Sequence, residues 1–169
     1  MMGYISYFNV VKSKDFISSP YNRRSDTLAK RVTRGKILDK RGKVLAQTTT
    51  SADGSETREY PYGREFAHVV GYTAKGKYGL ESRMNSELLS SNAFFLEKLT
   101  NEFQDKKNPG DNVVTTLDVK LQRAAYDALG DRKGAVVAMD PKTGKVLAMV
   151  SKPDFNPETV EDKWQTLNT

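Results

Sequence analysis

Cysteine is absent from the 169 residues, so disulfides, thiolate zinc sites and thiol nucleophiles are excluded. Histidine occurs once, as His68, which cannot build a multi-histidine metal centre. No metal or cofactor is expected. No apolar run approaches the roughly twenty residues that a membrane-spanning helix needs. Hydrophobic residues make up only 37% of the chain, so the core is small relative to the surface. The balance of charge is basic, +6 at pH 7. Such a charge suits an acidic partner, such as nucleic acid, anionic lipid or an anionic wall polymer. The cations nevertheless come in short clusters broken by Asp and Glu, such as Arg23-Arg24, Lys40-Arg41 and Lys106-Lys107. No helix has a continuous basic face and no RNA-binding aromatic motif occurs, so nucleic acid is not among the expected partners.

What is present is a repeated pentapeptide. Gly42-Lys43-Val44-Leu45-Ala46 recurs as Gly144-Lys145-Val146-Leu147-Ala148, and each copy follows a short apolar run and an aspartate, Asp39 or Asp140. Apolar strand, polar turn with glycine, apolar strand is the pattern of a β-hairpin. Nothing else recurs at that period, so these are two hairpins and not a repeat architecture.

Along the chain, Met1–Val11 is apolar and aromatic and turns polar at Lys12. This pattern fits the interfacial end of a membrane helix, marked by Tyr4, Tyr7 and Phe8, or an amphipathic helix packed on the domain. Residues 1–22 are read as a juxtamembrane segment that would follow a transmembrane anchor. Val32 to Thr48 forms the first hairpin, and Thr57 to Tyr60 a returning strand. Gly63 to Tyr72 fits a short helix with Phe66, Val69 and Val70 on one side. Leu80, Met84 and Leu88 have helical spacing, and Phe94-Phe95-Leu96 with Leu99 forms a further apolar patch. Asn108-Pro109-Gly110-Asp111 reads as a turn and marks a domain boundary. Asn112 to Leu117 reads as a strand. Asp118 is the N-cap of a helix over 119–129 whose apolar stripe is Leu121, Ala124, Ala125, Ala128 and Leu129. Gly134 to Met139 is a nearly continuous apolar strand, expected to be covered on both faces. Lys145 to Ser151 pairs back on it, with Met139 and Met149 in the core. Trp164, the only tryptophan, follows in an acidic stretch.

The run Arg34-Gly35-Lys36-Ile37-Leu38-Asp39-Lys40-Arg41-Gly42-Lys43-Val44-Leu45-Ala46 resembles the Arg-Gly-x-Ile-x-Asp-Arg-x-Gly-x-x-Leu-Ala motif of class B penicillin-binding proteins. Its departure is Lys40-Arg41, where the family often has Arg and Asn. Tyr60-Pro61-Tyr62-Gly63, Phe66 to Tyr72 and Gly79-Leu80-Glu81 follow in the family's order. Thr115 to Asp118, Leu121-Gln122, Ala125 and Ala128-Leu129 resemble the opening of the family's transpeptidase domain, and Gly134 to Val150 resembles its first hairpin. Tyr21-Asn22-Arg23-Arg24 looks most like a Gram-positive or actinobacterial subgroup.

The resemblance implies an α+β fold. It places a hairpin-rich pedestal or dimerisation domain at 23–110 and the N-terminal part of a transpeptidase domain at 111–169. The structural motif residues would be Arg34, Gly35, Asp39, Gly42, Gly79 and Glu81. The full-length family member would cross-link peptidoglycan stem peptides by serine acyl transfer, outside a membrane to which it is anchored. Its expected partners are other wall-synthesis proteins, among them a membrane glycosyltransferase, and a second copy of itself through dimerisation or strand exchange. A self-contained wall- or protein-binding module is the competing reading.

Catalysis in that family needs Ser-x-x-Lys, Ser-x-Asn and Lys-Thr-Gly. Ser-x-x-Lys is absent; the nearest stretch, Ser55-Glu56-Thr57-Arg58, ends in an arginine that cannot act as a base at neutral pH. Ser90-Ser91-Asn92 and Lys142-Thr143-Gly144 match the other two patterns. Turn chemistry accounts for every residue of the latter, with Pro141 presetting the turn and Gly144 at its corner. No catalytic residue is assigned. His68, in an apolar segment without a nearby base or nucleophile, reads as a packed residue. Glu81 has two readings: a carboxylate favoured at a helix N-terminus, or an ion-pair partner of Arg34.

Overall fold

The computed structural model describes residue 29 and residues 31–74, 76–92 and 107–162. The juxtamembrane segment, the apolar patch at Phe94 to Leu99 and Trp164 lie outside them. Among the described residues no helix is long and apolar enough to cross a membrane.

Mixed α+β structure follows from the two hairpins and the helices between them. The strands are β1 (Val32–Thr33), β2 (Ile37–Leu38), β3 (Val44–Thr50) and β4 (Glu56–Glu59). A 3-10 turn, Gly63–Phe66, leads into α1 (Ala67–Val70), α2 (Gly79–Arg83) and α3 (Asn85–Leu88). Then come β5 (Asn108–Pro109), β6 (Val113–Val114), α4 (Val119–Leu129), β7 (Gly134–Met139) and β8 (Val146–Lys152). The main sheet has the order β4-β3-β2-β6; β1 pairs with β5, and β7 with β8.

The first hairpin turns where its chemistry says it should. The Asp39 carboxylate accepts from the backbone N–H groups of Arg41 and Lys43, at 2.7 and 2.8 Å, and Gly42 closes the turn at φ +81°. Only a residue without a Cβ takes that backbone conformation freely. The hairpin is shorter than the sequence suggested. Val32–Thr33 departs to pair in parallel with Asn108–Pro109, so those two residues are strand and not turn. Residues so far apart in sequence give no local signal of pairing. Val113–Val114 likewise pairs in parallel with Ile37–Leu38, and it is the only strand within 112–117.

The core gathers Ile37, Leu45, Ala46, Tyr60, Phe66, Val70 and Leu88 with Leu117 and Val119. Full burial of a side chain such as Ile37 contributes about 1.5–3 kcal/mol. Residues on both sides of position 110 thus share one hydrophobic cluster.

Three further expectations are corrected. The helix over Leu80 to Leu89 breaks at Met84, where φ is −102° and ψ 21°. The break lies where the Arg34 guanidinium takes the Glu81 carbonyl, the group a continuous helix would offer to residue 85. In α4, Leu121, Ala124 and Ala128 are exposed, and the buried residues are Val119 and Gln122. Gln122 donates to the carbonyls of Glu65 and Met149 and accepts from Met149 N–H, so its amide completes the outer edge of β8. Hydrogen bonding therefore sets which face of the helix is inside. Finally, β7 is covered on one face only. Ala148 and Val150 of its partner strand are buried, whereas Val137, Met139 and Met149 are 53%, 55% and 37% exposed.

The start of α4 is held by Asp118, which accepts from the backbone N–H of Lys120 at 2.8 Å. Its other oxygen meets the Lys40 ammonium at 2.8 Å, bringing the first hairpin turn onto the helix N-terminus. That hydrogen bond, helped by the helix N–H groups, depresses the Asp118 carboxyl to about 2. Because the folded value lies below the unfolded one, the stabilisation is complete above about pH 4 and is lost as pH falls toward 2. Asp118→Ala is expected to cost about 1–2 kcal/mol in urea denaturation at neutral pH. It should also flatten the acid limb of the stability profile below pH 4.

Candidate functional site

The segment between β1 and β2 carries Arg34, β4 carries Arg58, the first turn of α2 carries Glu81, and α3 opens with Asn85. All four meet in one buried network. Arg34 Nε donates to Glu81 Oε2 at 2.6 Å, and Arg58 Nε donates to Glu81 Oε1 at 2.8 Å. Arg34 Nη1 reaches Asn85 Oδ1 at 2.6 Å, and Arg34 Nη2 reaches the Glu81 carbonyl at 2.5 Å. Arg58 Nη1 donates to the Gly35 carbonyl at 2.8 Å and to Thr48 Oγ1 at 3.0 Å. The Glu81 side chain is fully buried, and those of Arg34 and Arg58 are 11% and 8% exposed.

Electrostatically, one carboxylate faces two guanidiniums, so the cluster holds an excess positive charge. Burial pulls Arg34 below its ordinary range, and the Glu81 charge opposes that shift. Tyr60 lies beside the cluster, and burial first, then the Glu81 charge, pushes its hydroxyl up to about 12. A buried ion cluster of this kind holds three elements in one geometry, and losing one partner strands a charge in the interior.

Gly35 follows Arg34 for a steric reason. A Cβ there would stand 1.9 Å from the Asp111 carbonyl oxygen, because the 110–111 backbone passes directly against it. Gly79, at φ +62°, opens the helix that presents Glu81, with the Val69 carbonyl 2.8 Å from the place of a Cβ. Of the six residues read as a structural motif, Arg34, Gly35, Gly79 and Glu81 converge on this network. Asp39 and Gly42 instead form the turn that docks on Asp118, where Lys40 N–H also donates to the Leu117 carbonyl at 2.9 Å.

Of the two readings of Glu81, the ion pair with Arg34 is present. Arg58 and Asn85 were not anticipated. Strand alternation carried a signal for Arg58, since it shares a face with the buried Tyr60 two residues on. Asn85, on a polar stretch of helix, left none.

Lys142-Thr143-Gly144 is a turn. Asp140 accepts from Lys142 N–H at 2.9 Å and from the Thr143 hydroxyl at 2.7 Å, and Gly144 sits at φ +69°. Asp140 repeats the part of Asp39 in the first hairpin. At Ser90-Ser91-Asn92, the Ser90 hydroxyl donates to the Ser86 carbonyl within its own turn, and Asn92 N–H donates to Asp111 of the segment before β6. His68 Nε2 lies 2.9 Å from the Pro153 carbonyl oxygen, and its ring packs edge-on against Phe155. It is a packing residue.

Comparisons with known proteins agree with this layout. The family model of the penicillin binding protein A dimerisation domain matches residues 34–113, and that of the penicillin binding protein transpeptidase domain matches residues 134–169. The peptidoglycan D,D-transpeptidase PbpA of Mycolicibacterium smegmatis is 32% identical over 85% of this chain and 34% of the relative. Penicillin-binding protein 3 of Bacillus subtilis is 28% identical over 79% of this chain and 25% of its own. Among solved structures, the imipenem acyl-enzyme complex of penicillin-binding protein A from M. tuberculosis superposes with a TM-score of 0.70 at 30% identity. That match covers 82% of this chain and 36% of that one. The chain belongs to the class B penicillin-binding proteins. It carries a dimerisation domain and part of a transpeptidase domain, and spans 25–34% of the length of these two curated relatives.

Glu81→Gln, which leaves two guanidiniums facing an uncharged partner, is expected to cost about 3–5 kcal/mol in chemical denaturation, as is Arg34→Ala. Glu65→Gln serves as the contrast, because its partner Arg123 is 55% exposed, and should cost less than about 1 kcal/mol. Equal effects would remove the network from its central place. Gly35→Ala should destabilise on the same scale as Glu81→Gln through backbone collision alone.

Proposed function

We propose that this chain is the non-catalytic pedestal region of a peptidoglycan transpeptidase, with the pedestal at 23–110 and the first elements of the catalytic domain at 111–169. The observation that carries this reading is the joint between the two matched regions. The hairpin turn at Lys40-Arg41 meets Asp118, and Leu117 and Val119 enter the same core as Ile37 and Leu45. Arg64 also pairs with Asp154 at 2.7 Å, and Gln122 bridges the 3-10 turn to β8. A body so joined orients the transpeptidase domain rather than merely tethering it. The whole protein cross-links stem peptides by serine acyl transfer on the outer side of the membrane that anchors it. Its pedestal docks wall-synthesis partners, a membrane glycosyltransferase among them.

The chain itself performs no acyl transfer. Its one Lys-Thr-Gly is spent on a turn, and no serine stands three residues before a lysine. Fluorescent penicillin is expected to leave no covalent label on it, and a stoichiometric adduct would overturn the reading.

The bare face of β7 and β8, with Val137, Met139 and Met149, supports a second expectation. In the whole protein this face is covered by more of the transpeptidase domain. In the 169-residue chain the apolar face and the open edge of β7, whose one strand neighbour among the described residues is β8, meet a second copy. Light scattering should give a concentration-dependent dimer. Val137→Glu, at an exposed position, should shift it to monomer while changing stability by less than about 0.5 kcal/mol. A monomer at all concentrations would favour a self-contained module.

A further inference from the structure

Beside the buried network lies a cleft of about 210 Å³, lined by Arg34, Arg58, Thr48, Thr73, Lys77 and Glu56. Both oxygens of Glu81 are engaged by the two Nε atoms, so the cluster has no carboxylate left for its second positive charge. One atom records the imbalance. Arg58 Nη2 is buried and has no hydrogen-bond partner among the described residues, on a guanidinium whose side chain is only 8% exposed. A buried, charged donor without an acceptor is costly, and such groups are found where a ligand or ion supplies one.

The surrounding groups are of matching sign. Lys77 brings a third cation and is held at φ +61°, a left-handed conformation unusual for a residue other than glycine. Glu56, the sole carboxylate of the lining, is neutralised by the Lys107 ammonium at 2.7 Å and accepts from the Thr33 hydroxyl at 2.8 Å. The Thr48 hydroxyl accepts from Arg58 Nη1, which leaves its own proton to donate. A neighbouring cleft shares Arg34 and Thr48 and adds Lys36, so the positive surface continues past the first.

We propose that this cleft is a binding site for a phosphate oxyanion. A planar carboxylate prefers the paired donors of one guanidinium edge. Here the Nε of each arginine is already committed to Glu81, so the remaining donors are single groups approaching from different elements. That arrangement suits a tetrahedral group, with Arg58 in the lining and Lys77 and the Thr48 hydroxyl beside it. The phosphate can come from an anionic wall polymer, a lipid headgroup or free solution.

The test is titration of the 169-residue chain with inorganic phosphate, read from the amide resonances of Thr48, Thr73 and Lys77. A single saturable site is expected, weakening as sodium chloride is raised. Arg58→Lys should abolish binding but disturbs the core, so Lys77→Ala is the decisive variant. It should weaken binding by about threefold, whereas Lys133→Ala, an exposed cation elsewhere, should not. Poly(glycerol phosphate) binding more tightly than inorganic phosphate through the same residues would assign the wall polymer as source. Retention on phosphatidylglycerol vesicles would assign the lipid headgroup, and equal affinity for every form would assign free phosphate. Resonance shifts no larger than those produced by chloride at equal ionic strength would overturn the proposal. So would equal weakening by Lys77→Ala and Lys133→Ala, or an acetate response matching that to phosphate.

Discussion

Glu81 is the point on which the N-terminal part of this fold depends. Its carboxylate is fully buried and is gripped from two sides, by Arg34 ahead of the first hairpin and by Arg58 on the strand that follows it. Neither arginine is near it in sequence. Each contact therefore closes a long loop, at an entropic cost that rises only slowly with loop length. Once Glu81 is placed, the rest is constrained. Arg34 fixes the chain leaving β1, Gly35 lets residues 110–111 pass against it, and β5 can then pair with β1.

A cluster of this kind is weak as a source of net stability, because desolvation consumes much of the Coulomb attraction. Its contribution is geometric. An apolar cluster of equal volume would tolerate small rotations of α2 against β4, whereas hydrogen bonds at 2.6 and 2.8 Å do not. The same division of labour recurs at the second joint. Leu117 and Val119 supply burial, while Asp118 and Gln122 supply direction, one by capping α4 on the Lys40 ammonium and the other by completing the edge of β8. Polar groups thus set the angles at which apolar layers meet.

What the sequence made legible was local. Both hairpin turns followed from an aspartate and a glycine at fixed offsets, and the bounds of α4 followed from its cap. The motif order also led to the correct family. The parallel pairings of β1 with β5 and of β2 with β6 were hidden, because two-residue strands have no periodicity and their partners lie far along the chain. Gln122 was missed because a hydrophobic count assigns an amide to the surface. Its burial becomes visible only when Met149 is placed opposite it. Arg58 stands where Ser-x-x-Lys would have its lysine, yet its charge is needed inside, on Glu81.

The two Gly-Lys-Val-Leu-Ala hairpins show how the same local chemistry takes different meanings from its surroundings. Asp39 and Asp140 organise their turns in similar ways, Asp39 accepting from the N–H groups of Arg41 and Lys43 and Asp140 from Lys142 N–H and the Thr143 hydroxyl. Asp39 is 1% exposed, because its turn is pressed onto Leu117 and Asp118. Residues 141–145, by contrast, are all exposed. A catalytic lysine has to be held against a nucleophile in a pocket that excludes water. Lys142 meets neither condition, since its backbone serves the turn and its side chain faces solvent. The first hairpin is thus a joint and the second an exposed turn.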